Sequence, residues 1–326
     1  MASTADHASR VEAALFSGKA AQFPVVASWQ RSKMLHRIDP GQDRPPERLT
    51  SQQLREVHER AGLLLHASNP SLDSLYRAVG DVGCSVLLAD ADGVVIARRG
   101  AVQDDQTFDE WGLWTGAVWS EQREGTNGIG TCLVEKRPLT IHKDQHFQAK
   151  NADLSCTAAP IFDHQGDLMA VIDVSSCRAD LTAGFSRLIG CAVMDAARRI
   201  ETMYFGAMFP DCRIILTGPD PVACSSSTAD QLATLIAVDQ DEFVVGATRQ
   251  ARRAFGLSAE DFARPMPLSR LRGQVVNAEE DYQTAERRII LQALARSGGN
   301  VSAAASAMGI SRATLHRKIK QLDLKR

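Results

Sequence analysis

The chain has 326 residues, seven cysteines and a formal charge of −2. That length holds two or three domains with a sizeable core, and the near-neutral balance excludes a protein that coats nucleic acid indiscriminately. No uninterrupted apolar run is long enough to span a bilayer, the first residues lack the basic and apolar regions of a secretory leader, and an odd number of cysteines without a C-x-x-C pair reads as reduced, mostly buried thiols, so a cytoplasmic protein is expected.

The first eighty residues read as helical. Ser28-Trp29-Gln30-Arg31-Ser32 precedes a break at Asp39-Pro40-Gly41. Leu49 to Ala67 is then an amphipathic helix with Leu54, Val57, Ala61 and Leu64 on one side, and Ser71 to Gly80 is a third helix. From Cys84 the period changes. Cys84–Leu88 and Val94–Ala97 flank the turn Asp90-Ala91-Asp92-Gly93, and Cys156–Phe162 and Leu168–Val174 flank Asp163-His164-Gln165-Gly166. With Leu139–His142 these strands predict an antiparallel sheet of five or six strands. Between the hairpins an irregular stretch carries Trp111, Trp114 and Trp119 and runs into Glu124-Gly125-Thr126-Asn127-Gly128-Ile129-Gly130-Thr131, where Thr126 is placed to cap a short helix. Leu181 to Phe205 is a long helix whose seam is Leu181, Phe185, Leu188, Ala192, Asp195 or Ala196, Arg199 or Ile200, and Met203. That seam is only partly apolar, so one face packs on the sheet and the remainder is left to pair with a second copy. Residues 210–227 read as a linker with a short strand at Arg213–Leu216. Leu232 to Phe262 reads as strand, turn, strand and helix.

The last thirty residues carry the most chemistry. Thr284 to Arg296 is a helix with Ile289, Ile290, Ala293 and Leu294, stopped by Ser297-Gly298-Gly299. Asn300 caps a middle helix that presents Ala304, Ala305 and Met308. Gly309 suits a left-handed helix end, and Ser311 caps a final helix with Leu315, Ile319 and Leu322 on its apolar stripe. Ala313, His316, Arg317 and Lys320 fall on the opposite face, with Arg312 at its edge. From Ser311 onward six Lys or Arg face one acid, Asp323. Two helices joined by a glycine turn form a helix-turn-helix, whose second helix enters the major groove, and the cations supply phosphate affinity through counterion release.

The pattern G-N-x-x-x-A-A…M-G-I-S-R-x-T-L-x-R-K-I resembles the DNA-binding domain of the Fis family. The resemblance implies that Asn300, Ser302, Ser311, Arg312, Thr314, His316, Arg317 and Lys318 lie at or near DNA, with Lys320 a further phosphate contact; Ala303 stands where members of the family often have a basic residue. Residues from about 60 to 205 resemble a GAF domain. Trp119-Ser120-Glu121…Glu124–Thr131 and His146-Phe147…Cys156–Asp163 look like the sensor of the acetoin-catabolism activator group, as do Ser28–Ser32 and Ile38-Asp39-Pro40. Leu232–Phe262 is similar to a truncated PAS domain. That group carries a central ATPase, yet this sequence has no G-x-x-x-x-G-K-[ST] loop, and the about 75 residues between sensor and DNA-binding module are too few for one.

The expected fold is α+β: a helical region (1–59), a GAF-type antiparallel sheet with flanking helices (60–205), a linker (206–229), a PAS-like segment (230–272), a second linker (273–280) and an all-α Fis-type helix-turn-helix (281–326). Small-molecule pockets are apolar with a few placed polar groups. The expected ligand set is Trp111, Trp114 and Trp119 as an aromatic lid with Glu121, Thr126, Asn127, His142 and Asp173. No catalytic residue, metal or cofactor is expected. His142-x-x-x-His146 with Cys156 has zinc-type ligands but no fourth fixed by spacing, and Gly125-x-x-Gly128-x-Gly130 is in the wrong order for a dinucleotide fingerprint. The expected partners are operator DNA, a small-molecule effector and a second copy, with RNA polymerase or a related full-length activator beyond them, and no membrane. Two other readings are a redox-active GAF protein (a thiol sensor or sulfoxide reductase) and a Fis-like architectural protein.

Overall fold

The computed structural model describes residues 4–16, 23–42, 44, 46–80, 83–178, 183–217, 234–271, 290, 293–294, 297–298, 300–308 and 310–321. They fall into two compact units, Met1–Arg264 and Pro265–Arg326. None of the described helices is long and apolar enough to cross a membrane.

The first unit begins with α1 (Thr4–Phe16) and α2 (Pro24–Gln30), which runs on into a π-helical turn at Arg31–Leu35. α3 (Ser51–Arg60) opens on a capping box: Thr50 Oγ1 accepts from the Gln53 N–H, and the Gln53 side chain accepts from the Thr50 N–H. α4 (Gly62–Val79) follows after a break at Ala61. The break expected between Ala67 and Ser71 is absent, because the helix continues through Pro70. Pro70 is exposed, so the hydrogen bond it cannot make is lost on the solvent side. Leu64, Ala67, Leu72, Leu75 and Val79, all buried, hold the helix across it.

Five antiparallel strands form the main sheet in the order β2-β1-β5-β4-β3, with β1 at Cys84–Asp90, β2 at Val95–Arg99, β3 at Leu139–His142, β4 at Ser155–Phe162 and β5 at Leu168–Ser176. The two hairpin turns close alike. Asp90 Oδ1 accepts from the Asp92 and Val94 N–H groups at 3.0 and 2.9 Å, and Asp163 Oδ1 from those of Gln165 and Asp167 at 2.8 and 2.9 Å. Gly93 and Gly166 take the positive φ that each turn needs.

Between β2 and β3 lie α5 (Asp105–Glu110), α6 (Glu121–Glu124) and α7 (Gly128–Glu135), and α8 (Ala183–Met208) follows β5. Both faces of the sheet are covered. Val86, Leu88, Ile172 and Val174 pack with residues of α4 and α8, while Leu87, Ala89 and Val171 pack with Phe108, Trp119 and Ile129. Burial on both faces is why these strands read as continuous apolar runs.

Two local expectations are corrected here. α7 is capped by Asn127, whose Oδ1 accepts from the Gly130 N–H at 2.8 Å, and not by Thr126. The buried stripe of α8 is Ile189, Val193, Ala196, Ala197 and Ile200; of the expected seam Ala196 and Ile200 are buried and Phe185 and Ala192 pack against the core, whereas Leu188 and Met203 are 66% and 52% exposed. A partly apolar helix offers two neighbouring stripes, and packing on α4 and β4 selects one of them.

β6 (Arg213–Thr217), β7 (Thr234–Val238) and β8 (Phe243–Ala247) are antiparallel neighbours in that order, followed by α9 (Arg249–Phe255) as the expected strand–turn–strand–helix. Asp239 Oδ1 closes the β7–β8 turn as in the other hairpins, with Glu242 in place of glycine at φ 66°.

In the second unit Asn300 caps α10 (Val301–Ala307), and Ser311 Oγ accepts from the Thr314 N–H at 3.1 Å to cap α11 (Arg312–Gln321). Ile290, Ala304, Ala305 and Leu315 are buried together, with Ala293, Leu294, Val301, Met308, Ile310 and Ile319 around them. Ile290, Ala293 and Leu294 have helical backbone. The rest of the expected Thr284–Arg296 helix, Gly309 and Leu322 lie outside the described residues.

Candidate effector site and nucleic-acid interface

Two clusters of buried polar side chains meet at α7. The first joins the Ser28–Ser32 segment to the Glu121–Thr131 segment. The fully buried Ser28 hydroxyl lies 2.7 Å from both Glu121 Oε2 and Thr126 Oγ1. Arg31 Nε donates to Glu121 Oε1 at 2.7 Å, and Arg31 Nη2 donates to Glu121 Oε2 at 3.1 Å and to Glu135 Oε1 at 2.9 Å. This is the planar fork on carboxylate that arginine forms best, and its hydrogen bond to Glu121 raises the Arg31 guanidinium above its ordinary value. Asn127 donates to Gly125 O as well as capping α7. Glu121, Thr126 and Asn127 therefore each have protein partners and fasten α2 onto α6 and α7. Ser28 and Arg31 were outside the expected site set. Their sequence signal was the S-W-Q-R-S motif itself, whose partner lies 90 residues away.

The second cluster lies between β4, β5 and the segment that follows β3. Asp173 is 1% exposed; its Oδ2 accepts from Ser175 Oγ at 2.6 Å and its Oδ1 has no hydrogen-bond partner. Burial pushes the carboxyl from 3.8 up to about 7. Ser175 Oγ also lies 3.2 Å from Cys156 Sγ, which is 3.4 Å from His146 Nε2. His146 Nδ1 sits 2.9 Å from Lys143 O, so the network puts the ring proton there and leaves Nε2 to accept from the thiol. Burial holds His146 down to about 4 and lifts Cys156 well above an ordinary thiol, with the Asp173 charge adding to that rise. The cluster is a buried hydrogen-bonded chain and not an activated thiolate–imidazole pair. Iodoacetamide on the native protein is accordingly expected to label the exposed Cys191 and spare the buried Cys132 and Cys156; equal labelling of Cys156 would contradict this.

Gly128 makes the close approach possible. A Cβ there would lie 2.6 Å from both Asp173 Oδ1 and Cys156 Cβ, so Gly128→Ala is expected to lower stability by about 1–3 kcal/mol in chemical denaturation. A second expectation concerns pH. The folded state keeps the Asp173 proton up to about 7, while the unfolded chain releases it near 3.8, so stability falls between those values and is level above them. Asp173→Asn removes that slope: relative to the parent, the variant gains more at about pH 8 than at about pH 4. An equal difference at both values rules out a proton held on Asp173.

His142 joins neither cluster, since its Nδ1 lies 2.7 Å from Ser155 Oγ across the β3–β4 pair. Burial lowers its imidazole below the ordinary value. Of the three tryptophans, Trp119 is core: it is 2% exposed and its Nε1 donates to Gly112 O at 2.8 Å. Trp111 is half-buried against the same core, and Trp114 is half-buried with the Arg98 guanidinium 4.3 Å from its ring centre. Trp119 of the expected lid therefore belongs to the core, while Trp111 and Trp114 stay partly exposed.

On α11, Arg312, Arg317, Lys318 and Lys320 occur with no acid between Arg312 and Gln321. Leu315 is buried in the core, while Arg312, Ala313, Arg317 and Lys320 are exposed and Thr314, His316 and Lys318 are half-buried. Asn300, Ser302 and Ser311 are exposed beside them, and the Thr314 hydroxyl sits 2.8 Å from Ser311 Oγ.

Comparison with known proteins agrees with both halves. The family described as MimR, N-terminal domain, matches residues 5–194, and the family described as bacterial regulatory protein, Fis family, matches residues 283–322. The acetoin catabolism regulatory protein of Cupriavidus necator is 38% identical over 149 residues, 46% of this chain and 22% of that protein. The acetoin dehydrogenase operon transcriptional activator AcoR of Bacillus subtilis is 31% identical over 46% of this chain and 25% of its own length. The propane 2-monooxygenase operon transcriptional activator MimR of Mycolicibacterium smegmatis is 33% identical over 48% and 25%. The matched stretch therefore spans a quarter or less of each of these relatives. A chain of the E. coli DhaR(N)–DhaL crystal structure superposes with a TM-score of 0.51 at 17% identity over 72% of this chain and 76% of that one, which supports the GAF-type fold. With more than half of its length matched, this chain belongs to the MimR N-terminal domain family and carries a Fis-type helix-turn-helix module after that domain.

Proposed function

We propose that this protein is a cytoplasmic transcriptional regulator that binds a small metabolite in the GAF-type domain and a palindromic operator through α11. The observation that carries the reading is α11 itself: its apolar side closes a small core while four cations and no acid stand on the rest. A terminal helix of that kind is suited to a polyanion. Arg312, Thr314 and His316 are assigned to base edges, and Arg317, Lys318 and Lys320 to phosphates, which position without specifying. Asn300, Ser302 and Ser311 line the entrance to the same helix.

The effector is assigned to the GAF-type domain, where Asp173 Oδ1 is a buried acceptor without a hydrogen-bond partner. Trp111 and Trp114, both half-buried, are the candidate apolar contacts. The relatives' names point to acetoin and propane oxidation, so a short alcohol or ketone, able to donate to or accept from a carboxyl near neutrality, suits that position. The effector acts by population shift, through its differential affinity for two dimer arrangements. The absence of a phosphate loop argues for control without ATP hydrolysis, by occlusion, by recruiting polymerase, or by sharing sites with a full-length relative. The raised Cys156 thiol weighs against the redox reading.

The dimeric reading is tested by footprinting the full-length protein on DNA from upstream of its own gene. Two protected half-sites related by a dyad, about one helical turn apart, are expected. A single protected half-site at saturation contradicts the dimer.

A further inference from the structure

Asp173, Ser175, Cys156 and His146 are all buried, so a ligand that reaches Asp173 has to displace part of the protein. The sheet resists this, because β4 is hydrogen-bonded between β3 and β5. α2 resists it too, because Ser28 and Arg31 bind the buried Glu121 at 2.7–3.1 Å. α1 is held by less. It lies directly outside the cluster: His7 Nε2 donates to His146 O at 3.0 Å, and His146 Nε2 is 3.4 Å from Cys156 Sγ. Val11 packs with Phe147 and Ile38, with Leu15 beside them. Of the described side chains of this 13-residue helix, His7 and Val11 are buried, whereas Asp6, Ser9, Arg10, Glu12, Ala13 and Phe16 are exposed. Its ion pairs, Arg10 with Asp144 at 2.9 Å and Glu12 with Lys33 at 3.4 Å, are partly solvated, and such pairs contribute little.

A helix of this length is marginal in water without its packing, and elements with few buried apolar contacts open at the least cost in free energy. We propose that α1 is a strap over the His146–Cys156–Asp173 cluster, closed through His7 and Val11, and that it opens to admit the effector, the last step resting on the assignment of the effector to the GAF-type domain. When α1 lifts, the His7 contact on His146 and the Val11 contact on Phe147 are lost together, and the way past His146 to the thiol and the carboxyl is uncovered. Closing it again shuts the ligand away from water.

The test uses Cys156 as the reporter of access. Iodoacetamide is small and uncharged, as a short alcohol or ketone is, and its rate of reaction at each cysteine of the full-length protein is read by mass spectrometry. H7A/V11A removes both buried anchors of α1 and is expected to speed labelling of Cys156 at least about tenfold, as local opening becomes easier. Cys84, buried on the opposite face of the sheet with residues of α4 and α8, is expected to keep its rate. An unchanged rate at Cys156 overturns the strap. So does equal acceleration at Cys84, which is the mark of global unfolding. A second readout needs no variant: in hydrogen exchange on the parent protein the α1 amides are expected to exchange before those of α2 and α7, and equal protection of the three helices overturns the strap. Neither readout involves the effector. Failure of short alcohols and ketones to bind therefore counts against the effector reading alone, and a firmly closed α1 counts against the strap alone.

Discussion

Arg31→Ala is expected to lower the free energy of unfolding by about 3–5 kcal/mol. The reason is the partner left behind. Glu121 is 2% exposed, and its two oxygens accept two hydrogen bonds from Arg31 and one from Ser28. Without Arg31 that buried carboxylate keeps the Ser28 hydroxyl as its remaining hydrogen-bond donor. The double variant Arg31→Met with Glu121→Gln removes both charges and is expected to recover most of the loss, because a buried ion pair replaced by matched neutral groups is often close to neutral. Urea denaturation of the two singles and the double closes the cycle. An Arg31→Ala loss below about 1 kcal/mol, the range of surface ion pairs, contradicts the assignment.

Arg312→Ala is expected to reduce operator affinity by about 1–3 kcal/mol, roughly fivefold to 150-fold, and to relax the preference at one base pair in each half-site. Arg312 is exposed at the first turn of α11, and the recognition helix of such modules meets base edges through its N-terminal residues. Arg317→Ala and Lys320→Ala should behave differently. They are expected to weaken all sequences alike and to reduce the salt slope by about 0.9 for each phosphate contact removed. Competition binding with an operator and its single-base variants separates the two patterns. An Arg312 variant that keeps its full sequence preference and loses only salt dependence moves Arg312 to the phosphate group.

How much of this was legible depended on the range of the interaction. The D-x-x-G turns, the strands they join, α9 and the caps at Asn300 and Ser311 are set by neighbours within a few residues, and the structure places them where the sequence pattern does. The corrections all come from contacts that no local pattern contains. Pro70 stays helical because buried residues on both sides of it hold α4. The stripe of α8 is chosen by α4 and β4. Asn127 takes the cap while Thr126 turns to Ser28, nearly a hundred residues upstream. At the candidate site, Asp173 was legible as a polar residue in an apolar strand, but its chain to Ser175, Cys156 and His146 needed the β4–β5 register.

The regulator's function depends on whether α11 reads DNA. The most direct measurement is the affinity of the purified full-length protein for DNA from immediately upstream of its own coding sequence, followed by anisotropy across a salt series. The expected result is binding at least about a thousandfold tighter than to unrelated duplex, with log K falling linearly in log salt by about 0.9 per phosphate neutralised. If neither duplex is bound at low ionic strength while the C-terminal module is folded, the protein is not the regulator described here.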